Sequence, residues 1–521
     1  VTQELQRNRF RALWKHCRFV RVNKPPANRI GEHNSPQSIM QGIKLHRHPL
    51  FLALLTGTLS LAVWGVLAIG ANFGVHSALA IAGLIWLATL GLPTSMGVAI
   101  AASVWGRIEP FDGLPGFIVL ASVLGLTFQT VTFVLLWRKA ANARAQGRPW
   151  RIRRGLCAFG AGAFFVAATL WATHRPTASP DAVIDGHAHL FGDEGWPPVH
   201  KKTSGLSPSQ KANPTYGLLN RLLRLPATGD LNKLYLQELV RQAREAREVS
   251  RSFRVVLLAQ DCRYTGTGDP DWSQTSVYVP NEHLFRVVDR HPELFIPCPS
   301  INPQRKDWEA ELDYCLAQGA RVLKIHPPTQ AVNPGEPQFR AFYRKCAERG
   351  MRVMVHTGAE HSAPVANNTL GDPRLLDLAL AEGCTVIAAH AGTKAFFDPP
   401  AEDHFQVLVE MMARQPRLYA DTAVLGSQFR WRCIPEIVRT PDVLPRMLYA
   451  SDWPFPSNAM VFWHRLHPFT VVELMAEKNL FVRDLRLKQA LGLPPEAFGR
   501  FGNLLPVAEA TGGRHDLATI E

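Results

Sequence analysis

Two histidines one residue apart, His187 and His189 in the run Asp-Gly-His-Ala-His, are the first side chains here whose type and spacing suit chemistry. In an extended strand, side chains at i and i+2 share a face, so such a pair can chelate one ion. Further along stand Lys324-Ile-His326, Val355-His356-Thr-Gly, Ala389-His390-Ala-Gly and Ala450-Ser-Asp452-Trp-Pro, each closing a short apolar run. An isolated histidine pair arises easily by chance, and a single histidine at a strand end is usually a hydrogen-bonded structural residue. The coincidence of a pair, two more histidines and an aspartate at one register of separate runs points instead to a metal centre. Neutral imidazoles with one carboxylate suit zinc or another borderline divalent ion and leave a coordination position for water.

Side chains so remote in sequence meet only if the elements that carry them share a rim. From residue 181 onward, short β-branched runs alternate with amphipathic stretches. The spacing predicts strands over 182–187, 254–260, 295–301, 321–326, 352–356, 385–390, 418–421 and 447–451. Helices over 281–290, 307–318, 339–349, 373–382 and 403–414 are expected among the connections. Gly319, Gly350 and Gly383 follow three of them, where a helix C-terminus takes a residue of positive φ. Near-continuous apolar strands joined by helices imply a parallel sheet covered on both faces. Eight such repeats fit a closed (β/α)8 TIM barrel, class α/β, over 181–510, with a short tail over 511–521. The longest irregular stretch, 196–230, contains Pro197, Pro198, Pro214 and Pro226 and is a candidate lid or membrane-facing loop.

The runs DGHAHL, VLKIHPP, VMVHTG, VIAAHAG and LYASDWPFP, closed by Gly502-Asn503-Leu504-Leu505, resemble as a set the amidohydrolase superfamily. The closest resemblance is to the branch that also contains metal-dependent decarboxylases, and it covers residues 182–507. Carried over residue by residue, it implies that His187, His189, His356 and Asp452 ligate a metal, with His390 beside the bound water and substrate. Lys324 falls at the fourth-strand position that is a carboxylated bridging lysine in binuclear members. In the branch of this motif style the lysine need not be a ligand, so one ion is expected before two, and zinc before other divalent metals.

Elementary chemistry gives these residues roles. A divalent cation lowers the pKa of a bound water from ~15.7 towards ~7. Asp452 can accept that proton and return it to a leaving group, while His390 or Lys324 polarises the scissile carbonyl. Trp453, Arg263 and His326 are candidates for substrate contact, with Phe191, Trp196 and Phe455 as further apolar walls and Arg430 or Arg432 as anchors for an anionic group. The function expected is metal-dependent hydrolysis of an amide, ester or lactone-type bond in a small molecule. Two rivals are a non-oxidative decarboxylase of a cyclic or aromatic carboxylic acid and an inactive membrane sensor or scaffold.

With 521 residues and 46% hydrophobic content, the chain is neither a disordered protein nor one small domain. Its net charge of +14 sits entirely at the front, where residues 1–154 hold 18 Lys and Arg against four acids. Charge placed this way, with no interleaved aromatic groove, speaks against a nucleic-acid partner and for a lipid bilayer. Apolar runs at 49–70, 75–105, 116–137 and 155–172 approach the ~20 residues of a membrane span. About four transmembrane helices are therefore expected over 49–172, after a basic tail over 1–48. The acid-free segment 138–154 should stay cytoplasmic, which makes this a multi-pass membrane protein with its barrel extracytoplasmic. Cys262, Cys298, Cys315, Cys346, Cys384 and Cys433 show no CxxC spacing and are expected to be small buried hydrophobes.

Overall fold

The structure, a computed structural model, describes residues 49–70, 94, 114–146, 174, 180–192, 196, 204–226, 230–399 and 403–505. The expected basic tail over 1–48, the apolar run at 155–172, most of the run at 75–105 and the tail over 511–521 lie outside the described residues.

Ten strands follow in chain order: β1 Ile184–His189, β2 Gly205–Leu206, β3 Arg254–Leu258, β4 Val277–Tyr278, β5 Phe295–Cys298, β6 Val322–Ile325, β7 Arg352–His356, β8 Val386–Ala389, β9 Leu418–Asp421 and β10 Met447–Leu448. Parallel pairing runs β1-β3-β5 in one sheet and β6-β7-β8-β9-β10 in another. Parallel bridges Ser300–Lys324 and Ala188–Trp453 join the two sheets at both seams, so the eight strands close into a barrel. A helix follows each of them, from Leu231–Val249 after β1 to Leu480–Ala490 after β10. The expected (β/α)8 barrel is therefore what the chain forms, and β2 and β4 make a separate antiparallel pair.

Alternation along the strands builds the core. Val255 and Leu257 of β3 pack outward with Leu284 and Val288 of the helix Asn281–Arg290. Val256 and Leu258 point inward beside Ile296, Met354 and Ile387, and Phe501, Leu504 and Leu505 near the carboxyl end fill the same interior. The Gly-Asn-Leu-Leu run is thus part of the barrel filling. Burying each such side chain is worth roughly 1.5–3 kcal/mol.

The first strand departs from regular pairing in a way that matters. Asp185 pairs with Val255 and Ala188 with Leu257, so three steps on β1 span two on β3, a bulge. An inserted residue reverses the faces downstream of it. Ile184 points into the barrel, Ala188 points out, and His187 and His189 turn inward. Gly186 sits at the bulge because a Cβ there would stand 2.8 Å from the Phe501 ring and 3.1 Å from the Tyr449 carbonyl oxygen.

Ahead of the barrel, helices Pro49–Gly70 and Leu114–Ala145 pack on one another. Gln129 Nε2 donates to Thr56 Oγ1 at 2.9 Å, and Thr94 Oγ1 donates to Gln129 Oε1 at 3.1 Å. The expectation of transmembrane helices, and with it of a multi-pass membrane protein with an extracytoplasmic barrel, is corrected here. Among the described residues no helix is long and apolar enough to cross a membrane. Thr56, Thr58 and Ser60 interrupt the first apolar run, Gln129 sits within the second helix, and Arg138, Lys139 and Arg144 occupy its last turns.

Candidate active site

The carboxyl ends of β1, β6, β7, β8 and β10 meet at one mouth, which brings the sequence-selected residues together. His189 Nε2 lies 3.0 Å from Asp452 Oδ1, and His187 Nε2 lies 3.5 Å from the same oxygen. Around the mouth, imidazole centroids follow one another at 5.1 Å from His189 to His187, 5.1 Å to His390, 4.6 Å to His356 and 4.0 Å to His326. Lys324 Nζ is 3.4 Å from His187 Nε2.

Hydrogen bonds behind these rings set their tautomers. His187 Nδ1 faces Asp421 Oδ2 at 3.0 Å, and a carboxylate can only accept, so Nδ1 carries the hydrogen and Nε2 turns bare toward Asp452. His390 Nδ1 faces the Ala423 carbonyl oxygen at 3.1 Å, which likewise leaves its Nε2 bare. A neutral His390 is therefore an acceptor and cannot donate to an oxyanion. Lys324 remains the donor for that task.

His390 and Asp452 adopt left-handed backbone, φ 63° and 70°, a strain of about 1–3 kcal/mol per residue that folds store at functional sites. Asp421 Oδ1 holds the His390 amide at 2.8 Å, and the His187 carbonyl holds the Asp452 amide at 2.9 Å.

Burial is the largest influence on the protonation of the mouth. It pushes His390 down to about 4, against the pull of Asp452 and Asp421. Burial and then the Lys324 charge drive His187 well below the ordinary imidazole range. Burial also lowers Lys324, opposed by Asp421 and Asp452. For Asp452 burial alone would raise the carboxyl, but the His189 hydrogen bond and the neighbouring imidazoles overcome it and hold the group well below the carboxylate range.

Ligand atoms of His187, His189 and Asp452 lie within 4.8 Å of one another, and so do those of His326, His356 and Glu360. Donor atoms each ~2.1 Å from an ion can be about 4 Å apart, so two imidazole nitrogens spaced this way around one carboxylate oxygen fit a divalent cation. Neither ring nitrogen of His356, although buried, has a hydrogen-bond partner among the described residues. That side chain groups with His326 and Glu360 and not with the first three. Glu360 Oε2 is 3.2 Å from His326 Nε2, and its other oxygen accepts the Ser362 and Ala363 amides and the Ser362 hydroxyl.

Two residues expected to touch substrate do not line the mouth. Trp453 is wholly buried, donates from Nε1 to Gln242 Oε1 at 3.2 Å and stacks on Phe481, while Asp452 beside it faces the histidines of the mouth. Arg263 Nε is spent on the Thr329 carbonyl at 2.6 Å. His326 does line it, as do Phe191, Phe455 and Arg430. Trp196 packs on Trp272, and Arg432 lies over the Trp431 ring. Asp421 and Glu360 went unselected at the level of sequence. Asp421 ends a predicted strand, so the strand-end rule reaches it, whereas Glu360 lies in a loop with no such signal.

The amidohydrolase family profile matches residues 184–463, more than half of the chain, and the chain belongs to that family. An uncharacterized TIM-barrel protein from Bordetella bronchiseptica is 17% identical, with 60% of this chain and 99% of that one covered, at a TM-score of 0.38. A protein described as a 2-pyrone-4,6-dicarboxylic acid hydrolase from Pseudomonas putida is 15% identical, with 64% and 98% covered, at 0.37. A 2,6-dihydroxybenzoate decarboxylase from Rhizobium is 13% identical, with 59% and 99% covered, at 0.32. No curated protein matches the chain.

Proposed function

We propose that the chain is a metal-dependent hydrolase that adds water across an ester, lactone or amide carbonyl at the mouth of the barrel. The observation that carries this reading is the convergence of His187 and His189 Nε2 on Asp452 Oδ1, with Asp421 fixing the His187 tautomer from behind. His187, His189 and Asp452 would hold a divalent cation, with His356 across the mouth as the further candidate. When bound, it would supply Lewis-acid polarisation and make water acidic enough to serve as a nucleophile near neutral pH.

The chain's own residues divide the remaining work. Asp452 stays ionised, so it can take a proton from the attacking water and pass it to the departing oxygen or nitrogen. Lys324 presents N–H donors to the developing oxyanion. His390, held neutral with Nε2 bare, accepts a hydrogen bond from water or substrate and fixes its approach.

The test is to supply purified, zinc-loaded protein with panels of esters, lactones, amides and aromatic carboxylic acids. Hydrolysis that is lost with chelator and in Asp452→Asn supports the reading. Release of CO2 from an acid, with no hydrolysis of any panel member, overturns it in favour of decarboxylation.

A further inference from the structure

The mouth opens into a cavity of about 400 Å3 that contains His189, His356, His390 and Asp452 at one end. This size falls in the range of about 300–1,000 Å3 that holds a drug-sized ligand. Its far end is built by the segment expected from sequence to be a lid. There β2 pairs with β4, and the helix Pro214–Leu222 lines the cavity.

That helix is amphipathic yet buries none of its residues fully, although it carries Leu218, Leu219 and Leu222. All three line the cavity. Phe397, Phe429 and Phe455 line the same cavity. Phe397 and Phe429 remain 40% and 43% exposed, unusual for rings that pack on one another at 5.9 Å. Apolar surface left uncovered at a site is most economically explained by a ligand that covers it. The cap is also fixed in place, since Gln210 Nε2 and Asn213 Nδ2 donate to the Ser362 carbonyl at 3.1 and 3.2 Å.

Arg430 is the one Lys or Arg among the described residues that line the cavity. Its guanidinium donates to the Thr393 carbonyl, the Thr393 hydroxyl at 2.8 Å and the Ala359 carbonyl at 2.7 Å, neutral partners that leave its charge in place. It is therefore the wall of Leu218, Leu219, Leu222, Phe397 and Phe429 that selects the group held, since a charged group set against it would lose hydration.

We propose that this cavity is a subsite for an apolar acyl or aryl group of the ester, lactone or amide that is cleaved. The assignment rests on the hydrolase reading above for the bond that is cleaved, and on the cavity alone for the group that is held.

The test uses the zinc-loaded full chain with nitrophenyl esters from acetyl to decanoyl, and with the same lengths ending in a carboxylate. Binding of the neutral fluorophore N-phenyl-1-naphthylamine is followed separately, without turnover. Each added methylene should raise kcat/KM about fourfold until the cavity fills, and a terminal carboxylate should cancel the gain. Fluorophore binding should be lost in Leu219→Asp and, independently, in Phe429→Asp, with metal content and melting temperature retained in at least one of them. Acetyl and octanoyl esters cleaved equally, together with fluorophore binding untouched by both variants, overturn the subsite. If no ester, lactone or amide is cleaved but both variants still abolish fluorophore binding, the hydrolase reading fails and the apolar subsite stands.

Discussion

Asp421 stands behind His187, its Oδ2 3.0 Å from His187 Nδ1, while its other oxygen accepts the His390 and Ala423 amides at 2.8 and 3.1 Å. One carboxylate thus orients two imidazoles of the mouth. Partners of this kind raise the basicity of a ligand, and their loss typically costs about 10–100-fold in metal affinity. Asp421→Asn keeps the amide bonds through its oxygen but turns an NH2 toward Nδ1, which favours the wrong tautomer. Metal content measured against graded chelator should show a loss of that size with the melting temperature little changed, and equal affinity in parent and variant would remove Asp421 from this role.

Gly358 closes the Val-His-Thr-Gly run at φ 83°, and a Cβ there would collide with the Thr393 carbonyl oxygen. Its amide donates to the Gly371 carbonyl at 2.8 Å, which secures the loop that carries Glu360. Left-handed backbone costs a non-glycine residue roughly 1–2 kcal/mol, and displacing a packed backbone roughly 1–3 kcal/mol more. Gly358→Ala should therefore lower stability by about 2–5 kcal/mol in urea unfolding. A loss below about 0.5 kcal/mol would show that the loop relaxes freely.

Near-continuous apolar runs separated by amphipathic stretches made most of the barrel legible in sequence, and the β7 and β9 boundaries coincide with the predicted ones. The β1 region was harder. Its strand was expected over 182–187 and runs Ile184–His189, because a bulge that no periodicity announces turns both histidines inward. Chain adjacency misled at Trp453, which neighbours Asp452 but faces the core. Glu360 reaches His326 from a loop whose path depends on Gly358 and Gly371, so its place could not be read from spacing. Apolar content over 49–172 suggested spans, but composition carries no information on which polar side chains, such as Gln129 and Thr56, find each other.

The acid limb of stability should carry the mark of His283. Burial, reinforced by Arg286 and Arg290, pushes its imidazole down to about 4. The unfolded chain, at about 6.5, takes up the proton first. Stability is therefore full above about 6.5 and is lost as pH falls from there through about 4. Discounted for its partial exposure, the loss is about 1–2 kcal/mol. Melting temperatures measured from pH 8 to pH 4 should fall less steeply in His283→Gln than in the parent, and identical slopes would exclude His283 as a source.

Lys488 is wholly buried, and its ammonium donates to the Thr422 carbonyl at 2.8 Å, the Ala450 carbonyl at 2.6 Å and Asp484 Oδ2 at 2.8 Å. Thr422 follows Asp421 and Ala450 stands two residues before Asp452, so one cation ties together the ends of β9 and β10. Removing one member of a buried ion pair leaves the other charge uncompensated, at about 3–5 kcal/mol. Lys488→Met should lower the urea midpoint accordingly and weaken metal retention, since the two strand ends lose their common donor. Adding Asp484→Asn removes the stranded charge and should recover part of the stability. It leaves the two carbonyls without their donor, so metal retention should stay weak. If the single variant unfolds with the parent, or if the double variant restores both properties, the Lys488 ammonium does not hold the mouth of the barrel in shape.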